Sequence, residues 1–152
     1  MPSEALKLQK ISLFFPALLI SAAIIILWLI PVLVITLRGE GWGSAPWGAF
    51  SIIALVVTII APVVYGWHTK DTTGAVLIGV LPFLLTTTIP RIFLGTTAQD
   101  INFLVRSALY IVTLCSIGGL EGYFAAKREK RAFVIAAALA GLWAMVFLSG
   151  IN

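Results

Sequence analysis

Five long apolar stretches, separated by short polar segments, make up most of this chain. They lie at about 11–37, 49–67, 75–94, 98–125 and 132–151. An α-helix rises about 1.5 Å per residue, so roughly 20 residues cross the hydrocarbon core of a bilayer, which is about 30 Å thick. The pattern therefore predicts an all-α fold: a polytopic transmembrane helix bundle of about five spans, forming a single integral membrane domain over residues 1–152.

The composition agrees with that prediction. The chain is 61% hydrophobic and 11% charged, whereas a soluble domain has about 45–50% apolar and about 25% charged residues. It contains one cysteine, Cys115, and one histidine, His68. We therefore expect no intrachain disulfide, no metal site and no cofactor. The sequence also lacks a recognisable catalytic set, which gives little support to an enzyme.

The basic residues are distributed unequally between the two ends of the predicted bundle. Five spans place seven of them at the end that holds the N-terminus: Lys7, Lys10, Lys70, Lys127, Arg128, Lys130 and Arg131. The other end holds Arg38, Arg91 and Arg106. Since lysine and arginine favour the cytoplasmic side, we predict a multi-pass protein of the cell membrane with a cytoplasmic N-terminus and an external C-terminus.

The net charge of +4 comes from residues at the ends of the apolar stretches. This placement favours contact with the lipid bilayer and excludes nucleic acid as the expected partner. We interpret the cluster Lys127, Arg128, Lys130 and Arg131 as headgroup anchors. The third stretch contains Pro82 and Pro90, which leaves open whether that span is continuous, broken or re-entrant.

Polar residues recur along one face of the fourth stretch. At about 100° per residue they fall within an arc of about 100°. They are Gln99, Asn102, Arg106, Tyr110, Thr113 and Glu121. Such a stripe should face protein or water, because polar groups in lipid are costly. One interpretation is a pathway for a substrate, ion or proton; the other is hydrogen bonding between helices, with Arg106 extending to the interface.

Arg91 lies at the external end of the third stretch. One hypothesis places it with Arg106 and the first amides of the fourth helix in an external anion site. The alternative is an interfacial arginine that pairs with Asp100.

Small residues recur at intervals of four on the last two stretches. The fourth has Gly118, Gly122 and Ala126, and the fifth has Ala136, Ala140 and Ala144. Small faces let helix backbones approach closely in lipid. We therefore predict a tight antiparallel hairpin of the fourth and fifth helices, with oligomerisation as the competing use of either face.

These features favour a non-catalytic subunit or accessory component of a membrane complex or homo-oligomer. The alternative is a small transporter, channel or membrane substrate-binding component that uses the polar stripe of the fourth helix.

Overall fold

The computed structural model describes residues 2–38, 47–93 and 101–150, without the side chains of 2–13, 32, 34–36, 38, 47, 48 and 89–93. These ranges form five helices and contain no strand. The helices are α1 (Pro2–Arg38), α2 (Trp47–Thr69), α3 (Thr72–Phe93), α4 (Ile101–Ala126) and α5 (Lys130–Ser149). Four of them, all except α3, contain segments long and apolar enough to cross a membrane. The predicted helical membrane bundle is thereby confirmed.

The third helix is continuous through Pro82, and it extends from Thr72 to Phe93. Its apolar segment covers Thr72–Thr88 and is shorter than the other four. Proline lacks a backbone N–H, so each proline removes one hydrogen bond from a helix. The broken span that the two prolines allowed does not occur in this structure.

The α2–α3 turn and the α4–α5 turn lie at one end of the bundle, which we call the basic end. Ala17 of α1, Tyr65 of α2 and Ala75 of α3 share one buried cluster, which places α1 at Ala17 beside the α2–α3 turn, with the N-terminal residues of α1 extending beyond it. The α4–α5 turn lies at the same end, because the Arg128 guanidinium donates from Nη2 to the carbonyl oxygen of His68 at 2.6 Å. The unequal distribution of basic residues is therefore present in three dimensions, at Lys70 and at the α4–α5 turn.

The closest helix contact joins α3 and α4. A Cβ atom added to Gly118 would overlap the backbone carbonyl of Gly79, and one added to Gly122 would overlap that of Ala75. The two backbones therefore touch directly, as small residues at intervals of four allow. Gly66 of α2 packs on the same face, since an added Cβ would lie 3.0 Å from the carbonyl oxygen of Gly122.

This contact corrects the predicted partner of the small face on α4. We expected α5, whereas the structure places Gly118 and Gly122 against α3. The reason is that α3 presents Ala75 and Gly79 at the same spacing of four, so both backbones can approach. Ala126 lies at the end of this face, with its backbone nitrogen 3.0 Å from a Cβ added to Gly66.

The helices α4 and α5 do pack against each other, but through larger side chains. The Trp143 indole donates from Nε1 to the carbonyl oxygen of Leu114 at 3.0 Å. The Tyr110 hydroxyl donates to the carbonyl oxygen of Phe147 at 3.0 Å. These two pairs fix an antiparallel register between the helices. The alanines predicted to line α5 take different environments: Ala136 is fully buried, whereas Ala140 and Ala144 are half-buried.

Candidate functional site in the fourth helix

The side chain of Glu121 lies in the interior of the bundle. It is only 1% exposed, and its Oε1 atom has no hydrogen-bond partner among the described residues. Leaving a buried acceptor unsatisfied costs about 1–3 kcal/mol, and more where the group is charged. A glutamate on a water-exposed surface would avoid this cost. Glu121 and Ser21 are the two buried polar side chains without a hydrogen-bond partner among the described residues.

The local sequence explains how α4 can hold a carboxyl group there. Glu121 lies between Gly118 and Gly122, whose backbones are clamped against α3. That contact fixes the rotation of α4 about its axis. In the register set by Leu114 with Trp143 and by Tyr110 with Phe147, position 121 lies level with Ala136. Ala136 is fully buried at that level of α5.

The other described residues of the polar stripe are not buried as Glu121 is. Asn102, Arg106 and Thr113 are all exposed on the outside of the bundle. Thr113 donates its hydroxyl to the carbonyl oxygen of Leu109, one turn earlier in its own helix, at 2.8 Å. Arg106 and Glu121 are about 22 Å apart along the helix axis. The described residues therefore give no buried polar path that joins the two charges.

Tyr110 lies between Arg106 and Glu121 on the polar stripe. Its ring is half-buried against Phe83, with the ring centroids 6.1 Å apart, and its hydroxyl is used by Phe147 on α5. Arg106, one turn earlier in α4, is exposed. Tyr110 therefore acts as a packing residue with a satisfied polar tip, as buried tyrosines usually do.

The external anion site cannot be assembled from the described residues. Gln99 and Asp100 lie outside them, and so does the side chain of Arg91, whose backbone belongs to the end of α3. Both hypotheses for Arg91 therefore stay predictions. The adjoining threonines are described, and each hydroxyl donates to a carbonyl oxygen one turn earlier in α3. They are Thr86 to Pro82, Thr87 to Phe83 and Thr88 to Leu84.

An aromatic cluster fills the half of the bundle away from the basic end. Phe83 contacts Trp143 and Phe147 with ring centroids 5.6 Å and 6.1 Å apart. A cavity of about 160 Å³ opens beside this cluster. Trp28 lines the cavity, and its Nε1 donates to the hydroxyl of Thr58 at 2.9 Å. The cavity wall is mainly aromatic and aliphatic. Its polar side-chain groups already form hydrogen bonds within the bundle.

Sequence reasoning missed the role of Arg128. We predicted a headgroup anchor, in common with Lys127, Lys130 and Arg131, and all four side chains are exposed. The Arg128 guanidinium, however, donates to the carbonyl oxygens of Trp67 and His68 at the end of α2. Carbonyls at a helix C-terminus lack partners within the helix and favour a cation. The only sequence signal was a basic residue in a short turn, which does not identify its acceptor.

Two further polar features were also missed. Ser21 on α1 is 2% exposed, and its hydroxyl oxygen has no partner among the described residues. At the basic end, the Tyr65 hydroxyl donates to Oδ2 of Asp71 at 3.0 Å, which fixes the residue that precedes α3. The part of the chain that the structure describes holds no group of three histidine, cysteine, aspartate or glutamate side chains able to hold a metal ion.

No protein-family model, no curated protein and no solved structure matches this chain.

Proposed function

We propose that this chain is a non-catalytic membrane subunit that packs against another membrane protein or against further copies of itself. The observation that supports this proposal most is the position of Arg106. It lies on the outside of the bundle, about 7 Å from the start of α4, in a stretch where every residue from Ile101 to Arg106 is exposed. Charged residues in membrane spans normally face protein or water.

The length of α4 indicates how deep Arg106 and Thr113 lie in the membrane. The helix has 26 residues and is about 39 Å long, which exceeds the hydrocarbon thickness by about 9 Å. If α4 is centred, Arg106 lies only a few Å inside the core and Thr113 lies near the middle. An arginine near the boundary can reach the headgroups, so the cost of leaving it in lipid is modest. A partner helix would cover both residues and the apolar side chains between them.

The test is the stoichiometry of the purified chain in lipid nanodiscs, measured by native mass spectrometry. We expect two or more copies, or one copy with a second membrane protein at a fixed ratio. Arg106→Leu should shift the population toward the single chain. Arg131→Leu is the matched control, because it removes the same side chain from the exposed start of α5. A strictly monomeric chain, or equal effects of the two variants, would contradict the proposal.

A small transporter is the second candidate function, and one observation favours it. The buried, unsatisfied Oε1 of Glu121 is the kind of group that binds a proton or cation in transport proteins. Glu121→Gln keeps the shape of the side chain and removes its ability to carry charge. If the chain transports, proton or cation flux into liposomes should be lost in this variant while its stoichiometry stays unchanged.

We also propose that the basic end faces the cytoplasm, in the cell membrane. The support is the placement of Lys70 and the α4–α5 turn at one end of the bundle, since basic loops are retained on the cytoplasmic side. Single cysteines placed at Lys70 and at Ser149, both exposed, in a Cys115→Ser background, should be labelled from opposite sides of intact cells. Labelling of Lys70→Cys by a membrane-impermeant reagent added outside would reverse the orientation.

A further inference from the structure

An open groove runs along the outside of the bundle between α3 and α4, on the half near the basic end. Its volume is about 670 Å³. The groove arises because the Gly79 and Gly118 backbones touch, which brings the helices together beneath it. Its wall includes Val76 and Val80 of α3 and Val112, Ser116, Gly119 and Tyr123 of α4. Gly119 contributes no side chain to this wall, and a Cβ added there would lie 3.1 Å from a methyl carbon of Val80. We call it the α3–α4 groove.

The groove has the length of one bilayer leaflet. Val112 and Tyr123 are eleven positions apart, or about 16 Å along α4, which is close to half of a hydrocarbon core about 30 Å thick. Tyr123 lies one turn before the end of α4, and Val112 lies near its middle. The groove therefore begins at the basic interface and ends near the centre of the membrane, as the path of an acyl chain does.

A cation marks the interfacial end of the groove. The ammonium nitrogen of Lys127 lies 4.6 Å from the centroid of the Tyr123 ring and 5.5 Å from that of Phe124. Two aromatic rings thus hold the Lys127 ammonium at the mouth of the groove by cation–π attraction. The Arg128 guanidinium already donates to carbonyl oxygens of α2. The neighbouring basic residues Lys130 and Arg131 are the first two residues of α5.

We propose that the α3–α4 groove binds one anionic phospholipid, with an acyl chain along α4 and the headgroup phosphate at Lys127. The surrounding lipid is already apolar, so burial of the acyl chain gives little net free energy over other positions in the bilayer. Preference for this lipid must come from the fit of the chain and from the charge at Lys127. A basic residue near a membrane surface changes the affinity for anionic lipid by about fivefold.

The experiment is native mass spectrometry of the full chain released from nanodiscs that contain equal parts of phosphatidylglycerol and phosphatidylcholine. We expect one retained lipid per chain, with phosphatidylglycerol favoured about fivefold. Lys127→Ala should bring that preference close to one. Lys130→Ala is the matched control and should leave it unchanged, since Lys130 lies at the start of α5.

Filling the groove tests the acyl-chain part of the proposal. Gly119→Leu and Ser116→Leu should each remove the retained lipid of either class. Gly141→Leu on α5 is the matched control, because a Cβ there would meet nothing within 4 Å, and it should retain the lipid. Ser116 is exposed, so that variant blocks the groove without entering the α3–α4 contact. Melting temperatures in phosphatidylcholine alone show whether each variant is folded.

Three results would overturn the proposal. Equal losses of preference in Lys127→Ala and Lys130→Ala would show a general charge effect of the turn. Retention of the lipid by a folded Ser116→Leu variant would place it elsewhere. Loss of self-association without loss of lipid in that variant would assign the groove to a transmembrane helix of another copy.

Discussion

Replacing Gly118 by alanine is the most direct test of the α3–α4 contact. The change adds one methyl group, but the structure leaves no space for it. The new Cβ would overlap the carbonyl oxygen of Gly79, at a distance that Cβ atoms in real proteins essentially never show. The obstacle is backbone in the middle of a helix, so no side chain can rotate away. The helices α3 and α4 must separate for the variant to fold.

The expected cost follows from two opposing effects. Overpacking of a tight interface typically costs about 1–3 kcal/mol. Alanine is a better helix former than glycine by about 1 kcal/mol in peptide hosts. Gly141 offers the matched control, because a Cβ there meets nothing within 4 Å. Gly141→Ala should gain the helix preference without the clash, so Gly118→Ala should be less stable than Gly141→Ala by about 1–3 kcal/mol.

The measurement is the free energy of unfolding in bicelles, obtained by steric trapping of a doubly biotinylated chain. The comparison requires that both variants keep the helix content of the parent in circular dichroism. If Gly118→Ala were as stable as Gly141→Ala, the two helix backbones would not be in contact at Gly79. The rotation of α4 would then not be fixed by α3, and the burial of Glu121 would need another cause.

Three further predictions use the same stability measurement. Trp143→Phe removes the hydrogen bond to the Leu114 carbonyl and should cost about 1 kcal/mol; no loss would mean that the bond does not form. Glu121→Met replaces an unsatisfied buried acceptor with an apolar side chain and should stabilise the bundle by about 1–3 kcal/mol, whereas destabilisation would reveal a partner for the carboxyl group. Arg128→Ala leaves the last carbonyls of α2 without their donor and should cost about 1 kcal/mol, while Arg131→Ala should have no effect.

The helices could be predicted from the sequence because lipid leaves few alternatives. A backbone in hydrocarbon must satisfy its hydrogen bonds internally, so each apolar stretch of sufficient length becomes a helix. The observed bounds of α2, Trp47–Thr69, and α5, Lys130–Ser149, differ by only two residues at each end from the predicted ones. The beginning of α1 was less predictable, since Pro2–Lys10 carries polar residues that continue the helix outside the apolar stretch.

The pairing of helices could not be predicted to the same extent. Small residues mark a face that can approach another backbone, but they do not identify the partner. Several faces competed for Gly118 and Gly122, and the sequence showed Ala136 on α5 as readily as Gly79 on α3. Only the three-dimensional register shows that α3 takes this face. The same limit applies to Arg128, whose acceptors on α2 are sixty residues away in sequence.

The environments of Arg106 and Glu121 follow from that one contact. The two residues project about 60° apart on α4, so a single rotation of the helix could have buried both or exposed both. Gly118 and Gly122 are held against α3. The C-terminal half of α4 is therefore covered by α2 and α5, and Glu121 is enclosed. The stretch from Ile101 to Arg106 is exposed, and it is the surface that we assign to a partner. If Glu121→Met stabilises the chain and leaves assembly unchanged, the cost of retaining a carboxyl group there argues that selection acts on its chemistry, and transport becomes the better explanation. If the same variant stabilises the chain but abolishes assembly, the carboxyl group serves the complex.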